Sequence, residues 1–433
     1  MATLLAKLET RSAQVTVVGA GQVGLPLAVA FAEAGLSTVA LDCDRQVVEA
    51  IGGGRSPSRE VDDDALSRVV ASKRLRATTH VAVLHDADAV VICVPTPLNK
   101  TREPDLRHVI DVVDAVAREQ HRGMLVVLES TTYPGTTMEV VVPRLTSAGF
   151  ALGRDVFVAF SPERVDPGNT RYGTRNTPKV VGGATPGCQR VALALYGAVI
   201  DQLVPVSSPD AAEMAKLLEN TYRAVNIALA NEFALMAKRL GVDIWEVIRA
   251  ASTKPFGFMP FYPGPGLGGR CIPVDPLYLS WRMRSLDFDA RLIALADLVN
   301  GSMPDHVVSL VHQALNDVGQ PVRGAKLLIV GLAYKRDVPD HRESPAFAII
   351  DALLRLGATV DYLDPEIPAF SEAGLSLRSV PDDVDFSRYD TVVIVTDHSR
   401  IDYRRLLADS PLVVDTRNAL EGVPGDHRKV VKL

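Results

Sequence analysis

Short apolar runs alternate with helix-like segments through the first half of the chain. VTVV at 15–18 leads into GAGQVG and the amphipathic LPLAVAFAEAG, and STVALDCD at 37–44 is a second strand candidate. This order forms the βαβ unit of a parallel sheet. Further strand candidates follow at 89–95, 125–130 and 156–163. The pattern therefore predicts a doubly wound Rossmann domain over residues 1–205.

A long periodic segment in the middle of the chain predicts a helix. Ser208 is a capping residue, Pro209 occupies the first helical position, and Gly241 ends the pattern. A second helical segment covers about 286–318. We therefore expect residues 206–318 to form a central helical domain, whose large surface is a candidate for homodimerisation.

The strand–helix pattern returns in the last third of the chain. The candidate strands and helix lie at 326–335, 344–357, 359–364, 390–397 and 412–417. They predict a second α/β domain over 319–433 that resembles the first without its glycine pattern. The predicted fold class is thus α/β, with two Rossmann-like doubly wound domains joined by a central long-helix domain.

Composition narrows the range of functions. The 433 residues are 47% hydrophobic and 23% charged, which is ordinary for a globular protein. A net charge of −6 argues against nucleic acid and anionic membranes as main partners. The chain has no apolar run of about 20 residues and no signal-peptide pattern. Its 4 cysteines lack metal-binding spacing, so we expect free thiols, no metal and a cytoplasmic location.

The strongest single motif is a glycine-rich turn after the first predicted strand. Gly19, Gly21 and Gly24 form G-x-G-x-x-G, which permits a tight turn and a close approach of a pyrophosphate. Such turns also arise from packing alone, but Asp42 ends the next strand, where an acid accepts both ribose hydroxyls. The acid would repel the extra phosphate of NADP, so NAD is predicted, although nearby Arg45 leaves NADP open.

Polar residues follow three other predicted strands. Thr96 follows one strand, Ser130 and Thr131 follow the next, and Glu163 and Arg164 follow the third. Ligands of open α/β sheets bind at such strand ends. The alternatives are turn and capping chemistry for the hydroxyls, and a surface loop with self-compensating charges for Glu163 and Arg164.

Two further candidates come from the central region. Lys216 and Asn220 are four residues apart and so share a helix face among apolar neighbours. A lysine near the buried side of a helix is costly unless it is paired or used; the alternative is a solvated lysine with its stem packed. Cys271 lies between glycines, next to Arg270, in the irregular stretch 261–276, FYPGPGLGGRCIPVDP. A nearby cation favours the nucleophilic thiolate, which is the preferred interpretation, but from spacing alone Cys271 could also fill a turn.

Six motifs in order carry a resemblance over nearly the whole chain. They are GAGQVG, STTYPGTT, SPERVDPGN, AKLLENTYRAVNIALANE, PGLGGRCIPVDP and GLAYKRDVPDHRESP. In this order they resemble the nucleotide-sugar 6-dehydrogenases, a family that includes UDP-glucose, GDP-mannose and UDP-N-acetylhexosamine dehydrogenases. The resemblance implies oxidation of a sugar C6 alcohol to a carboxylate in two hydride transfers to NAD.

The resemblance also implies a role for each candidate residue. Cys271 would trap the aldehyde as a thiohemiacetal, which is oxidised to a thioester and hydrolysed. Asp275 would assist proton transfer, Lys216 would stabilise oxyanions and Asn220 would position them. The remaining catalytic roles, which concern the hydrolytic water, fall to Glu163 and Thr131.

Binding residues follow from the same match. The cofactor set is Gly19, Gly21, Gln22, Val23, Gly24, Asp42, Thr96, Ser130 and Arg342. The substrate set is Glu163, Arg164, Lys216, Asn220, Tyr262, Gly266, Gly268, Lys335 and Arg417. The partner implied is a nucleotide-diphospho-sugar, held by a few placed cations and backbone amides.

One residue departs from the pattern. The motif looks most like the branch acting on UDP-N-acetylglucosamine or UDP-N-acetylmannosamine, which commonly has histidine where this chain has Arg270. The hexose therefore stays open. The base, uridine or thymidine, also stays open, because nothing in the sequence distinguishes uracil from its methylated form. Two other functions are possible: a single-step hydroxyacid or 6-phosphogluconate type dehydrogenase, which gives Cys271 no task, and a non-catalytic nucleotide-sugar-binding protein.

Overall fold

The computed structural model describes residues 1–166, 168–169, 171–372 and 374–433. They fall into two compact units. The first unit comprises residues 1–219 and 277–288, and the second comprises residues 220–276 and 289–433.

The first unit contains a sheet with eight strands in the described residues. These are β1 (Gln14–Val18), β2 (Ser37–Leu41), β3 (Leu75–Thr78), β4 (Ala89–Ile92), β5 (Met124–Leu128), β6 (Val156–Phe160), β7 (Lys179–Gly183) and β8 (Leu203–Val206). The strand order is β3-β2-β1-β4-β5-β6-β7-β8. All neighbouring strands are parallel except β6 and β7. The order of the first six strands is that of a doubly wound dinucleotide-binding sheet.

The second unit contains a smaller sheet, which has five strands in the same described part of the chain. The remaining strands are β9 (Lys326–Val330), β10 (Thr359–Leu363), β11 (Ala369–Glu372), β12 (Leu375–Arg378), β13 (Thr391–Ile394), β14 (Val413–Asp415) and β15 (Val430–Lys432). The parallel sheet has the order β10-β9-β13-β14-β15, and β11 and β12 form a separate antiparallel hairpin.

Helices connect the strands of each sheet, and the residues between β8 and β9 are mainly helical. They are α1 (Ala2–Glu9), α2 (Gly24–Glu33), α3 (Arg45–Gly52), α4 (Asp63–Ala71), α5 (Arg107–Glu119), α6 (Val142–Thr146), α7 (Pro186–Tyr196), α8 (Pro209–Leu240), α9 (Ile244–Ser252), α10 (Asp275–Arg284), α11 (Arg291–Asp317), α12 (Pro345–Arg355) and α13 (Tyr403–Asp409). A π-helical turn occupies Thr137–Val141. Within the residues described, no helix combines the length and apolarity needed to span a membrane.

Alternation of side chains along the inner strands creates a core on each face of the first sheet. Val17, Val91 and Val127 lie in the cluster that contains the apolar faces of α2 and α7. Val90 and Val126 point the other way, into the cluster formed with α5 and α6. Because both faces are covered, these strands are continuous apolar runs, which is why the sequence pattern detects them.

The predicted fold class is confirmed: two parallel α/β sheets and a central long helix are present. The helix expected over 208–241 is α8, a single helix of 32 residues. The second helical segment, expected from about 286, begins only at Arg291 as α11. Asp287 has a positive φ of 55°, which is incompatible with a helix starting before it.

Candidate active site

The glycine-rich turn joins β1 to α2 and has the geometry of a dinucleotide site. Gly19 has a φ of +92°, and a Cβ there would lie 2.8 Å from the Cys93 carbonyl oxygen. A Cβ on Gly24 would lie 1.8 Å from the Gly19 carbonyl oxygen. At Gly21, by contrast, no described atom would lie within 4 Å of an added Cβ. Packing thus requires two of the glycines, whereas the space above Gly21 is open for a pyrophosphate.

Asp42 follows β2 beside this turn. Its Oδ2 accepts a hydrogen bond of 2.8 Å from the Ala20 amide, and its Oδ1 accepts one of 2.9 Å from the Asp44 amide. The carboxylate is half-buried and held next to the turn, where the ribose of a bound dinucleotide is expected. The residues of the turn and Asp42 therefore fit NAD.

The ends of β4 and β5 are tied together by hydroxyl groups. Thr96 Oγ1 donates to the Thr131 carbonyl oxygen at 2.8 Å, and Ser130 Oγ donates to the Val94 carbonyl oxygen at 2.8 Å. Tyr278 OH donates to the Thr96 carbonyl oxygen. Thr96 and Ser130 thus have a structural task, which links two strand ends and is neither the turn nor the capping role considered from the sequence, and their cofactor role stays a prediction.

The Lys216 side chain contacts the backbone of Glu163, and both residues belong to the first unit. Lys216 Nζ donates to the Glu163 carbonyl oxygen at 2.7 Å. Glu163 Oε1 accepts from the amides of Arg164 and Val165 at 2.8 Å and 2.6 Å. The Lys216 side chain is therefore paired, and its stem is not merely packed against the helix.

The Arg164 guanidinium is engaged by protein groups. It forms two hydrogen bonds to the Glu219 carboxylate, at 2.6 Å and 3.2 Å, and one to the Pro178 carbonyl oxygen at 2.7 Å. These contacts fix the loop after β6 against α8. The carboxylate that compensates Arg164 thus comes from α8 and not from its own loop, and the substrate role of Arg164 stays a prediction.

The residues around Cys271 belong to the second unit. Cys271 is exposed, and its carbonyl oxygen accepts the Asp275 amide at 2.8 Å, where α10 begins. The Asp275 side chain is buried and accepts a hydrogen bond from Asn220 Nδ2. The structure therefore pairs Asn220 with Asp275 and joins Asp275 to Cys271 through the backbone, and their catalytic roles stay predictions.

The other cysteines lie in different surroundings. Burial raises the pKa of the Cys93 thiol well above its usual value, and Glu129 adds to that effect. Cys188 is fully buried and accepts a hydrogen bond from the Val158 amide at 3.3 Å. Cys43 is exposed and follows Asp42.

Glycines of the 261–276 stretch are needed for close packing within the second unit. A Cβ on Gly268 would lie 2.6 Å from the Tyr334 Cβ, and one on Gly266 would lie 3.1 Å from the Pro345 Cβ. Gly269 has a φ of +82°, and its amide donates to the Arg342 carbonyl oxygen at 3.0 Å. The stretch thus packs closely on the loop that contains Lys335, and its irregular backbone is a consequence.

Three predicted basic residues lie near this stretch or at strand ends of the smaller sheet. Arg342 is paired with Asp340, and this hydrogen bond raises the pKa of its guanidinium. Arg417 follows β14, and its Nε donates to the Val395 carbonyl oxygen at 2.9 Å. Lys335 follows β9 and is half-buried.

Tyr262 is more than half exposed and stacks on Trp245, with ring centroids 6.1 Å apart. Its aromatic face therefore has a fixed orientation within the second unit, and the substrate contact expected for it stays a prediction.

Sequence reasoning missed a buried cluster that orders the Lys335 loop. The Asp364 Oδ2 atom accepts the amides of Leu332 and Ala333 at 2.6 Å and 2.8 Å, and His398 Nε2 lies 3.1 Å away. The Asp337 amide donates to His398 Nδ1 at 3.0 Å. Asp364 follows the second strand of its βαβ unit, as Asp42 does, but Asp364 is only 2% exposed whereas Asp42 is half-buried, so Asp364 is not offered to a ribose.

A second missed cluster is a buried ion pair in the first unit. Glu129, directly after β5, lies 3.1 Å from Lys179 Nζ, and both side chains are almost completely buried. Tyr196 OH donates to the other carboxylate oxygen of Glu129. The glutamate is visible in the sequence as the only charge in LVVLES, but its lysine partner comes from a distant strand.

Comparison with known proteins assigns these features to a family. The three models of the UDP-glucose/GDP-mannose dehydrogenase family, for the NAD-binding, central and UDP-binding domains, match residues 13–200, 210–302 and 328–422. The chain belongs to this family. It is an NAD-dependent nucleotide-sugar 6-dehydrogenase, and the predictions of this family and of NAD are confirmed.

Individual relatives carry names for several substrates. A UDP-N-acetyl-D-glucosamine 6-dehydrogenase of Pseudomonas aeruginosa is 34% identical over 391 residues, 89% of this chain and 90% of that one. The structure of a UDP-D-ManNAc dehydrogenase from Pyrococcus horikoshii has a TM-score of 0.88 at 31% identity, covering 97% of this chain and 98% of that chain. A UDP-glucose dehydrogenase from Pyrobaculum islandicum has a TM-score of 0.82 at 29% identity, covering 97% and 96%.

Proposed function

We propose that the enzyme oxidises the C6 hydroxyl of a UDP-N-acetylhexosamine to the carboxylate, with Cys271 as a covalent nucleophile. The observation that carries this proposal is the cluster of Asn220, Asp275 and Cys271, in which a buried carboxylate is held beside the segment that bears an exposed thiol. A single-step dehydrogenase has no use for such a group.

The four-electron balance explains why a thiol is needed. Bound NAD supplies the chemistry of hydride acceptance, once for the alcohol and once for the trapped aldehyde. The thiol of Cys271 adds to the aldehyde carbon to form a thiohemiacetal, whose oxidation leaves a thioester. Water then adds to the acyl carbon, the carbon–sulfur bond breaks, and the thiol is regenerated with the uronate.

Each remaining residue has a task suited to its environment. Asp275, oriented by the Asn220 amide, accepts and returns the proton at the sulfur and at the substrate oxygen. The Lys216 ammonium stabilises the oxyanions of the tetrahedral species. Glu163, together with Thr131, holds the water that hydrolyses the thioester.

The sugar assignment rests on the relatives and on the wording of the cysteine motif. The relatives from Pseudomonas aeruginosa and Pyrococcus horikoshii are named for UDP-N-acetylhexosamine substrates, whereas the relative from Pyrobaculum islandicum is named for UDP-glucose. Arg270 stands next to the nucleophile and is exposed. UDP-glucose and TDP-glucose are therefore the second choice, and rates of NADH formation across these substrates and GDP-mannose decide between them.

The reaction itself is tested by stoichiometry. Wild-type enzyme is expected to form two NADH per sugar, and a Cys271→Ser variant is expected to fail in the second oxidation. Cys43→Ser provides the control, because Cys43 is also an exposed thiol but belongs to the first unit and not to the 261–276 stretch. One NADH with a released aldehyde or ketone would contradict the proposal.

We also propose a homodimer formed through the central helices. The helix α8 exposes an apolar stripe with helical spacing: Tyr222, Leu229, Phe233, Met236 and Leu240. On α11, the exposed apolar residues are Leu292, Leu295 and Leu298. Stripes of this size rarely face water in a monomer. Light scattering should give twice the chain mass, and Leu229→Asp with Phe233→Asp should give the monomer mass.

A further inference from the structure

We infer that Lys179, held in a buried cluster with Glu129 and Tyr196, is a positioning residue for the hydrolytic step, because it anchors the chain segment that carries Glu163. The inference rests on the proposed function of Glu163 and extends it to residues that touch neither substrate nor cofactor. The cluster lies entirely within the first unit.

The cluster is built around one ion pair. Lys179 Nζ lies 3.1 Å from Glu129 Oε2 and 5.0 Å from the centre of the Tyr196 ring. Tyr196 OH donates to Glu129 Oε1. The relative exposures of the three residues are 5%, 2% and 0% for Lys179, Glu129 and Tyr196. Both charges are therefore removed from water and depend on each other.

The ion pair is joined to Glu163 through the backbone. Lys179 Nζ lies 3.4 Å from the carbonyl oxygen of Pro162, and Lys216 Nζ lies 2.7 Å from the carbonyl oxygen of Glu163. Ser161 Oγ fixes the preceding residue by donating to the Val180 carbonyl oxygen at 2.7 Å. Two lysines thus hold consecutive carbonyl groups, which fixes the peptide plane from which the Glu163 side chain departs.

Charge points to the same relationship. Burial lowers the pKa of Lys179, but Glu129 and then Glu163 act in the opposite direction, and the net pKa is raised. Burial, opposed by Lys179 and reinforced by Glu163, raises the pKa of Glu129. The carboxylate of Glu163 therefore lies within electrostatic reach of the Lys179–Glu129 pair.

Stability alone does not account for such a pair. Replacing a buried ion pair by neutral residues of similar volume is often neutral or stabilising, because desolvation offsets the attraction. A cation that faces a proposed catalytic loop has a use that apolar residues could not supply, since it both donates to a carbonyl oxygen and compensates a carboxylate.

The test is a double variant, Lys179→Met with Glu129→Gln, which removes both charges together and leaves no unpaired buried ion. NAD affinity and the first-turnover burst of two NADH per site are expected to stay within about twofold of wild type. Steady-state kcat is expected to fall about tenfold or more, with a covalent sugar-nucleotide adduct on Cys271 that peptide mass spectrometry detects. The single variant Lys179→Arg is expected to retain most of the wild-type kcat, because arginine keeps the charge and the hydrogen-bond donors.

The control is a second neutralised ion pair, Lys7→Met with Asp88→Asn. This pair lies in the same unit, with Lys7 Nζ 2.6 Å from Asp88 Oδ1, but is joined to the amino end of β1. It is expected to leave kcat unchanged. A kcat of the Lys179 double variant equal to wild type, or a loss of the burst together with kcat, would overturn the inference.

Glu163→Gln separates this inference from the proposed function. If that variant accumulates the adduct and the Lys179 double variant does not, the role of Lys179 is refuted and that of Glu163 stands. If Glu163→Gln hydrolyses the adduct normally, the proposed role of Glu163 is wrong, and the inference about Lys179 is overturned with it.

Discussion

Asn220 Nδ2 donates a hydrogen bond to the buried carboxylate of Asp275, whose own amide is bonded to the Cys271 carbonyl oxygen at 2.8 Å. One residue comes from the long helix α8 and the other begins α10. The Asn220 side chain therefore orients the Asp275 carboxylate, and the backbone bond joins Asp275 to the residue that carries the thiol. This pairing orients the buried carboxylate for which we propose a role in proton transfer.

Asn220→Ala should consequently impair catalysis more than binding. Loss of a hydrogen bond to a buried charged group costs about 1.5–3 kcal/mol, so we expect kcat to fall about 10- to 100-fold. NAD affinity, measured by fluorescence titration, should not change. Asn226→Ala is the control, since Asn226 lies on the same helix but bonds only to the Tyr222 carbonyl oxygen in the structure described. Equal losses in both variants would show that the helix, and not the pairing, is affected.

The glycine turn separates folding from cofactor binding. Gly24→Ala should destabilise the protein, because the new Cβ would lie 1.8 Å from the Gly19 carbonyl oxygen. Gly21→Ala should leave the melting temperature within about 2 °C, because the added methyl group has no described atom within 4 Å and alanine lowers the conformational entropy of the unfolded chain. It should nevertheless raise the KM for NAD about tenfold or more, since the methyl group occupies the approach of the pyrophosphate.

Thermal melting and NADH kinetics on the two variants check this difference. A Gly21→Ala protein with unchanged NAD affinity would mean that the cofactor phosphates do not approach that position. A stable Gly24→Ala protein would contradict the close packing of α2 on the turn.

The sequence predicts strands well where they are continuous apolar runs, and poorly where they are partly exposed or contain glycine or proline. Strands such as β5 are apolar throughout and were expected. The strands β3, β7 and β8 were missed, because β3 has one buried residue in four, β7 contains two glycines and β8 contains a proline. The hairpin of β11 and β12 was missed for a similar reason, since β12 alternates between exposed and half-buried residues.

The candidate site shows a different limit. Motifs and resemblance indicated Cys271, Asp275 and Lys216, because these residues lie in distinctive local sequence. The supporting residues Lys179 and His398 could not be found that way, because each is defined by partners from distant strands. A lysine or histidine without its partner in view is indistinguishable from a surface residue.

His398 gives a testable example of such support. His398→Ala removes an acceptor from the Asp337 amide and a neighbour from the buried Asp364 carboxylate. The loop that carries Lys335 should lose its fixed shape, so we expect the KM for the nucleotide sugar to rise about tenfold. Calorimetry with UDP should show the same weakening, while the affinity for NAD is unchanged. His427→Ala, an exposed histidine of the same unit, should have neither effect.

Glu213 provides a prediction for stability against pH. Its side chain is buried on α8 and accepts hydrogen bonds from the Gly135 amide and from the amide and hydroxyl of Thr137, at 2.7 to 2.9 Å. Burial nevertheless dominates and raises the pKa of this carboxyl from 4.5 to about 7. The folded protein therefore holds the proton more tightly than the unfolded chain does between these two values.

Stability should accordingly fall as the pH rises from about 4.5 to about 7, and this contribution should level off above that range. The full change is on the order of 3 kcal/mol, because one pKa unit corresponds to about 1.4 kcal/mol. Urea midpoints measured from pH 5 to pH 8 should show this slope in the wild type and a smaller one in Glu213→Gln. Glu232→Gln, an exposed glutamate of the same helix, should keep the wild-type slope. Parallel curves for wild type and Glu213→Gln would show that Glu213 is already ionised throughout this range, and that its three donors outweigh burial.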